Sequence, residues 1–204
     1  MILVGMPDSP YVRRVAVSLR LMGLAYEHQQ VSVFRHFERF RGINPVVKAP
    51  SFVCDDGTVL MDSTLILDYA ESLVEPARRL TPQEVEPRKQ SLRITGIALA
   101  AAEKCVALIY EQQQRPADKR HPAWIERVTG QANAAFAELE KLAPASGWMQ
   151  GSRVTAADVV TACVCRFAQY YRKETTIDEG GYPKLAAHSA RAESLPQFVA
   201  VPLE

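Results

Sequence analysis

Residues 1–23 read MILVGMPDSPYVRRVAVSLRLMG. The apolar run Met1–Gly5 predicts a short strand, and apolar residues then recur at helical spacing until Gly23. Ser9 and Pro10 stand where that helix would begin, because Ser is a favoured N-cap and Pro fits the first helical position. The stretch therefore predicts a strand, a short loop and a helix whose N-terminus carries Ser9.

The segment that follows, up to residue 75, continues to alternate strand-like and helix-like patterns. Asp55-Asp56-Gly57-Thr58 predicts a hairpin turn, because Gly tolerates the positive φ that tight turns need. The other segments are predicted as strands at Tyr26–Ser32, Ser51–Cys54 and Val59–Met61, and as helices at Phe34–Ile43 (irregular) and Thr64–Leu73. The predicted order is β-α-β-α-β-β-α, with the hairpin late in the sheet.

The second part of the chain has a different pattern. Prolines at positions 76, 82 and 87 interrupt the periodicity and predict a linker over residues 76–86. From there on, long helical patterns occur and no strand is predicted; the helices are expected at 87–113, 122–142, 155–172 and 183–193. The fold class is thus α/β plus all-α, with a first domain at 1–75 and an all-helical domain at 87–204.

Composition excludes several classes of function. The 204 residues carry 24 basic and 23 acidic side chains, a net charge of +1, which gives no electrostatic reason to expect nucleic acid or a membrane surface as partner. No apolar run approaches the roughly 18 residues of a membrane span, and the N-terminus lacks the pattern of a signal peptide. The four cysteines form no Cys-x-x-Cys and the four histidines are scattered, so we expect free thiols, a cytoplasmic location and no metal site.

Ser9 stands where a small dithiol oxidoreductase would have the first residue of Cys-Pro-Tyr-Cys; this chain has Ser-Pro-Tyr-Val. Helix capping by itself explains a serine here. The two roles are compatible, since a helix N-terminus stabilises an anion and a hydroxyl there can donate to a thiolate and lower the pKa of that thiol. No activating base is visible beside Ser9, so it is not expected to act as an acyl-transfer nucleophile.

Two further stretches allow both a structural and a binding interpretation. In Asn44–Phe52, a cis bond between Ala49 and Pro50 would turn the backbone of Ala49 outward to pair with an extended peptide, whereas a trans bond would make an ordinary turn. Asp62 and Ser63 lie where a strand gives way to a helix. They form either a helix cap or a clamp in which Ser63 holds a carboxylate and Asp62 an ammonium.

Thr155-Ala156-Ala157-Asp158 precedes a helix that is apolar on most sides. Thr-x-x-Asp resembles a capping box, with Asp in place of the usual Glu or Gln. We interpret it as structural, because a buried helix must satisfy its end groups internally.

Taken together, the chain resembles the soluble glutathione S-transferase superfamily, and in particular its serine-type bacterial members. The matching residues are Ser9-Pro10-Tyr11 with Arg14-Val15, Asn44-Pro45 with Lys48-Ala49-Pro50, Asp62-Ser63 with Ile66 and Tyr69, and Thr155-x-x-Asp158. A tyrosine-type member would have its Tyr where this chain has Met6, and a cysteine-type member would have Cys at position 9. The resemblance implies a thioredoxin-like domain followed by a helical domain, usually in a homodimer.

The resemblance also implies roles for individual residues. Ser9 would stabilise the thiolate of glutathione, the co-substrate, with no metal involved. The other residues implied to hold glutathione are Ala49 and cis Pro50 for the cysteinyl part, Asp62 and Ser63 for the γ-glutamyl end, and Lys48 for the glycyl carboxylate. The family's electrophile pocket would be lined by Tyr11 and by the first long helix of the second domain, around Cys105, Ile109 and Gln112.

The function expected from this resemblance is transfer of glutathione to an apolar electrophile, whose identity the sequence does not indicate. A dithiol oxidoreductase on the same fold is opposed by Ser9 and Val12, which replace both reactive cysteines. A glutathione-dependent peroxidase or reductase, and a non-catalytic glutathione-binding or protein-interaction member, remain as alternatives.

Overall fold

In the computed structural model, residues 1–175 and 179–203 are described. The chain divides into two compact units, one made of Met1–Leu80 with Ser194–Glu204 and the other of Thr81–Glu193. The predicted boundaries assigned everything from 87 to 204 to the helical domain. The structure differs in placing the last eleven residues with the first unit.

The first unit contains a four-stranded sheet with short strands β1 (Ile2–Val4), β2 (Glu27–Gln29), β3 (Ser51–Val53) and β4 (Val59–Met61). The strand order is β2-β1-β3-β4. Strand β2 runs parallel to β1, whereas β3 is antiparallel to both β1 and β4. The crossover between β1 and β2 and the hairpin between β3 and β4 are those predicted for a thioredoxin-like domain.

Three helices accompany the sheet: α1 (Pro10–Leu21), α2 (Phe37–Ile43) and α3 (Ser63–Ser72). Fully buried apolar side chains come from α1, from the sheet and from α3: Val12, Val15, Ala16, Leu19, Leu3, Phe52 and Ile66. Burial of this apolar surface is the main favourable term in folding. The predicted order β-α-β-α-β-β-α is confirmed.

The C-terminal segment is held to the first unit by a buried arginine. After a short helix, α9 (Pro196–Val199), the carbonyl of Val201 accepts a hydrogen bond of 2.9 Å from Nε of Arg13. The Arg13 guanidinium also lies 5.6 Å from the centre of the Phe198 ring. A buried guanidinium needs such partners, and these two contacts join the C-terminal segment to α1.

The second unit is helical: α4 (Val85–Gln113), α5 (Pro122–Leu142), α6 (Ala156–Tyr170), α7 (Arg172–Thr175) and α8 (Pro183–Glu193). In its described residues there is no strand, only one isolated bridge between Trp148 and Gly151. Buried alanines such as Ala98, Ala102 and Ala132 allow close packing of the long helices. Among the residues that the structure describes, no helix is both long and apolar enough to cross a bilayer.

The predicted capping box at the start of α6 is confirmed. Oδ2 of Asp158 accepts hydrogen bonds from the backbone N–H of Thr155 at 2.9 Å and from its hydroxyl at 2.7 Å. Oδ1 accepts one from the Met149 N–H at 2.7 Å and lies 3.0 Å from Nε2 of His188 on α8. Burial opposes ionisation of Asp158, but these hydrogen bonds outweigh it and hold its pKa below the usual value.

Candidate functional site

The first element of the site is the N-terminus of α1. Ser9 has extended backbone angles, its carbonyl accepts the first helical hydrogen bond from the N–H of Arg13, and Pro10 follows at the first helical position. The Ser9 oxygen also accepts a long hydrogen bond of 3.4 Å from the N–H of Val12. No acidic side chain lies in the first turn of the helix, so its end keeps its partial positive charge.

The second element is the turn that leads into β3. The peptide bond between Ala49 and Pro50 is cis. Asn44 is buried and donates from Nδ2 to the hydroxyl of Ser51 at 2.8 Å, and Ser51 donates in turn to the carbonyl of Lys48 at 2.8 Å. Within residues 1–175 and 179–203, neither the N–H nor the C=O of Ala49 is hydrogen-bonded, which leaves this pair available to a ligand strand.

Gly5 brings the first two elements together. It has φ of +144°, and a Cβ at this position would lie 2.6 Å from Cγ2 of Val12 and 3.3 Å from Cβ of Ala49. Only glycine fits this close approach between the end of β1, the first turn of α1 and the Ala49 turn. The backbone of Ala49 therefore lies close to the end of the helix that Ser9 caps.

The third element is the N-terminus of α3. Asp62 has φ of +73°, and its Oδ1 accepts a hydrogen bond of 2.9 Å from the N–H of Thr64, so it acts as the cap. The hydroxyl of Ser63 lies next to it and is 4% exposed. Arg14 on α1 donates from Nη1 to the Ser63 hydroxyl at 3.1 Å and to the Thr64 hydroxyl at 3.2 Å.

Two of the residues expected to bind the ligand lie close to each other. Nζ of Lys48, which precedes Ala49, is 3.9 Å from Oδ2 of Asp62. The structure thus brings the Ala49 turn and the start of α3 together, and α1 contacts the start of α3 through Arg14. The first unit contains all six residues predicted to bind glutathione: Ser9, Lys48, Ala49, Pro50, Asp62 and Ser63.

The four residues predicted to line an electrophile pocket belong to different units. Tyr11 lies half-buried in the first turn of α1, whereas Cys105, Ile109 and Gln112 lie on α4. Cys105 has no exposed surface, Ile109 is almost fully buried, and Gln112 donates from Nε2 to the carbonyl of Glu174 at 2.8 Å. Burial raises the pKa of the Cys105 thiol to about 12, so this thiol stays protonated. The role of these four residues stays a prediction.

Three residues of the site were not identified as functional from the sequence. The sequence pattern places Gly5 at the end of a strand and Asn44 in a turn. It places Arg14 on a helix, where a polar residue is ordinary. The sequence feature that could have identified Asn44 is its position directly before Pro45. For Arg14 the only such feature is that it is one of the residues that match the family. In the part of the chain that the structure describes, no group of three or more His, Cys, Asp or Glu side chains is arranged to hold a metal ion.

Comparison with known proteins identifies the family of the chain. The family model for the N-terminal domain of glutathione S-transferases matches residues 3–78, and that for their C-terminal domain matches residues 122–191. The chain belongs to the glutathione S-transferase superfamily. The first match contains all the predicted glutathione-site residues. The second contains the Thr155–Asp158 capping box.

The relatives of this glutathione S-transferase superfamily member that are described next share only about a quarter of its residues. It is 27% identical to the uncharacterized GST-like protein YibF of Escherichia coli K12, over 83% of each chain. It is 26% identical to the maleylacetoacetate isomerase of Pseudomonas aeruginosa PAO1, over 72% of this chain and 71% of the isomerase. A glutathione transferase family member from Pseudomonas fluorescens Pf-5, crystallised with bound glutathione, is 27% identical, with a TM-score of 0.82 and coverage of 100% and 98%.

Proposed function

We propose that this protein is a serine-type glutathione transferase, in which Ser9 stabilises the thiolate of bound glutathione and directs it at an electrophilic small molecule. The membership of the superfamily and the glutathione bound to the Pseudomonas fluorescens relative support this proposal. Glutathione is then a co-substrate, and the reaction needs no metal.

The position of Ser9 is the observation that carries the proposal. Its oxygen accepts only the long hydrogen bond from Val12, and its hydroxyl donates to no other group in the described part of the chain. The proton of the hydroxyl is therefore free to hydrogen-bond a thiolate, and the end of α1 favours the negative charge. Both effects lower the pKa of the thiol, which increases the fraction present as the nucleophile.

The rest of glutathione is assigned to the neighbouring elements. The unpaired N–H and C=O of Ala49 suit the backbone of the cysteinyl residue, as in the addition of a strand. Asp62 and Ser63 would hold the ammonium and the carboxylate of the γ-glutamyl end, and Lys48 the glycyl carboxylate. Holding glutathione at these points would keep its sulfur beside Ser9. This proximity would increase the rate of the transfer reaction.

The chemical step requires only the thiolate and the electrophile. The sulfur donates an electron pair to an electrophilic carbon and forms a carbon–sulfur bond. In a substitution the leaving group departs with its bonding pair, and in an addition a proton is taken up at the neighbouring atom. The hydrogen bond from Ser9 weakens as the sulfur loses its charge, so Ser9 contributes mainly by making the thiolate available.

Isomerisation is a second candidate, and the similarity to the Pseudomonas aeruginosa maleylacetoacetate isomerase favours it. Conjugation, isomerisation and peroxide reduction differ in what becomes of glutathione. Conjugation consumes one glutathione for each product, whereas isomerisation regenerates it, and peroxide reduction converts two glutathione molecules to the disulfide. Free thiol, glutathione disulfide and conjugate should therefore be quantified separately with an aryl halide, with maleylacetoacetate and with a hydroperoxide.

The test of Ser9 compares Ser9→Ala, Ser9→Gly and Ser9→Thr. Gly retains most of the capping energy and Ala does not, but both lack the hydroxyl. We expect kcat/KM to fall about 10- to 100-fold in both, and Ser9→Thr to keep most of the activity. If Ser9→Gly keeps its activity and only Ser9→Ala loses it, the activity depends on helix capping and not on the hydroxyl, which would contradict the catalytic role. Binding of glutathione without turnover of any electrophile would favour the non-catalytic alternative. Failure of the parent to bind glutathione would overturn the proposal.

Two accompanying expectations are part of the same proposal. A homodimer is expected from the family and is tested by sedimentation equilibrium of the full chain. A cytoplasmic location is consistent with the four cysteines, which are buried and form no disulfide in the described part of the chain.

A further inference from the structure

Arg14 is a buried charge that has no role in the mechanism described above. It is 3% exposed, and its partners include the hydroxyls of Ser63 and Thr64, at 3.1 and 3.2 Å from Nη1. Burying a guanidinium is costly unless it is hydrogen-bonded, and both hydroxyls belong to the first turn of α3. A long side chain from α1 therefore fixes the start of another helix.

The contact constrains the direction in which the Ser63 hydroxyl can donate. Its oxygen accepts from the Arg14 guanidinium, so its own proton must point elsewhere. A hydroxyl that accepts from a cation is polarised and becomes a stronger donor. The charge of Arg14 also adds to the positive potential at the N-terminus of α3.

The same turn also carries a negative charge, the carboxylate of Asp62. Asp62 caps the Thr64 N–H through Oδ1, and its Oδ2 faces Lys48. The start of α3 thus offers the Ser63 hydroxyl as an oriented donor beside the buried Arg14 cation. The carboxylate of Asp62 lies next to Ser63 in the same turn. An α-amino acid end group, with its ammonium and carboxylate on one carbon, matches this pair of charges.

We propose that Arg14 is a positioning residue that orients Ser63 for the α-carboxylate of the γ-glutamyl end and so makes binding selective for ligands that have this carboxylate. The inference rests on the proposed function, because it takes glutathione as the ligand. Arg14 acts through Ser63 and through its charge, and it does not itself contact the ligand.

Arg13 provides a matched control. It is the neighbouring residue on the same helix and is 1% exposed, but its Nε donates to Val201 in the C-terminal segment. Replacing Arg13 by Lys therefore disturbs a buried guanidinium of the same helix whose Nε contacts the C-terminal segment rather than α3. Arg14→Lys keeps the charge but loses the planar fork that contacts two hydroxyls.

The test measures the affinity of the full chain for glutathione and for 4-aminobutyryl-cysteinylglycine, which lacks only the α-carboxylate. The parent should bind glutathione more tightly. Arg14→Lys should weaken glutathione binding about tenfold and binding of the analogue less than about twofold. Arg13→Lys should change both affinities by the same factor.

Thr64→Val is the second variant, used if Arg14→Lys fails to fold, since it removes one acceptor of Arg14 at an exposed position. It should reduce the preference for glutathione about two- to fivefold. Equal losses for both ligands in Arg14→Lys, or an unchanged preference in Thr64→Val, would show that Arg14 is only structural, while leaving the proposed function intact. A parent chain that binds neither ligand would overturn both proposals.

Discussion

Nζ of Lys48 lies 3.9 Å from Oδ2 of Asp62, and the two side chains are 52% and 46% exposed. An ion pair in such a setting contributes only about 0–1 kcal/mol, so each member can exchange its partner at little cost. Glutathione carries a carboxylate for Lys48 and an ammonium for Asp62. The two charges expected to hold opposite ends of the ligand pair with each other in this structure, and each would change partner when the ligand binds.

Asp62→Asn should separate the charge of Asp62 from its structural role. Asn caps helices as well as Asp and tolerates the positive φ of this residue, so we expect little change in the thermal midpoint. Loss of the charge should weaken glutathione binding about tenfold, measured by calorimetric titration. Unchanged affinity would remove Asp62 from the site, and a large drop in the midpoint would assign it to folding instead.

Gly5→Ala should destabilise the first unit, because the new Cβ would lie 2.6 Å from Val12 in a residue with φ of +144°. We expect a loss of about 2–4 kcal/mol in the free energy of unfolding, measured with denaturant. Gly57→Ala is the control, since Gly57 has φ of +87° but nothing within 4 Å of a Cβ. It should cost only about 1 kcal/mol. Equal losses in the two variants would contradict the close approach at Gly5.

Asp158 should contribute to stability only above acid pH. Because its folded-state pKa lies below the ordinary 3.8, its contribution is complete above pH 3.8 and is lost as the pH falls through the folded-state value. Asp158→Asn should lower the free energy of unfolding by about 3 kcal/mol at neutral pH. This difference between parent and variant should shrink below pH 3.8. A difference that stays constant into the acid range would contradict the ionised capping box.

His28 should be neutral at physiological pH. Burial lowers its pKa below 6.5 and the charge of Arg20 acts in the same direction, although the hydrogen bond with the Gly5 carbonyl opposes both. The stability that depends on neutral His28 is complete above pH 6.5 and declines as the pH falls through the folded-state pKa. The pH titration of its C2 proton by NMR, assigned with His28→Gln, should give a pKa below 6.5. A value of 6.5 or more would refute this.

Local sequence signals predicted most of the elements. Ser9 and Thr155 cap helices where capping preference placed them, and Gly57 occupies the turn of the predicted hairpin. Such signals depend on residues close together in the chain, so a single sequence contains them.

Contacts between distant residues were not predictable in the same way. An arginine on a helix usually extends into solvent, and nothing near Arg14 in the chain indicates that its partner is 49 residues away. The same applies to Arg13 and Val201, which are separated by 188 residues and join the C-terminal segment to the first unit. The pairing of Lys48 with Asp62 also depends on how two loops meet in space.

The central claim is that the Ser9 hydroxyl stabilises the thiolate of bound glutathione. The most direct measurement is the pKa of that thiol, followed by the ultraviolet absorbance of the thiolate as the pH is varied. In the parent chain the pKa should be at least about one unit below that of free glutathione, and Ser9→Gly should restore about one unit or more. A bound thiol whose pKa is the same in the parent and in Ser9→Gly would contradict the claim.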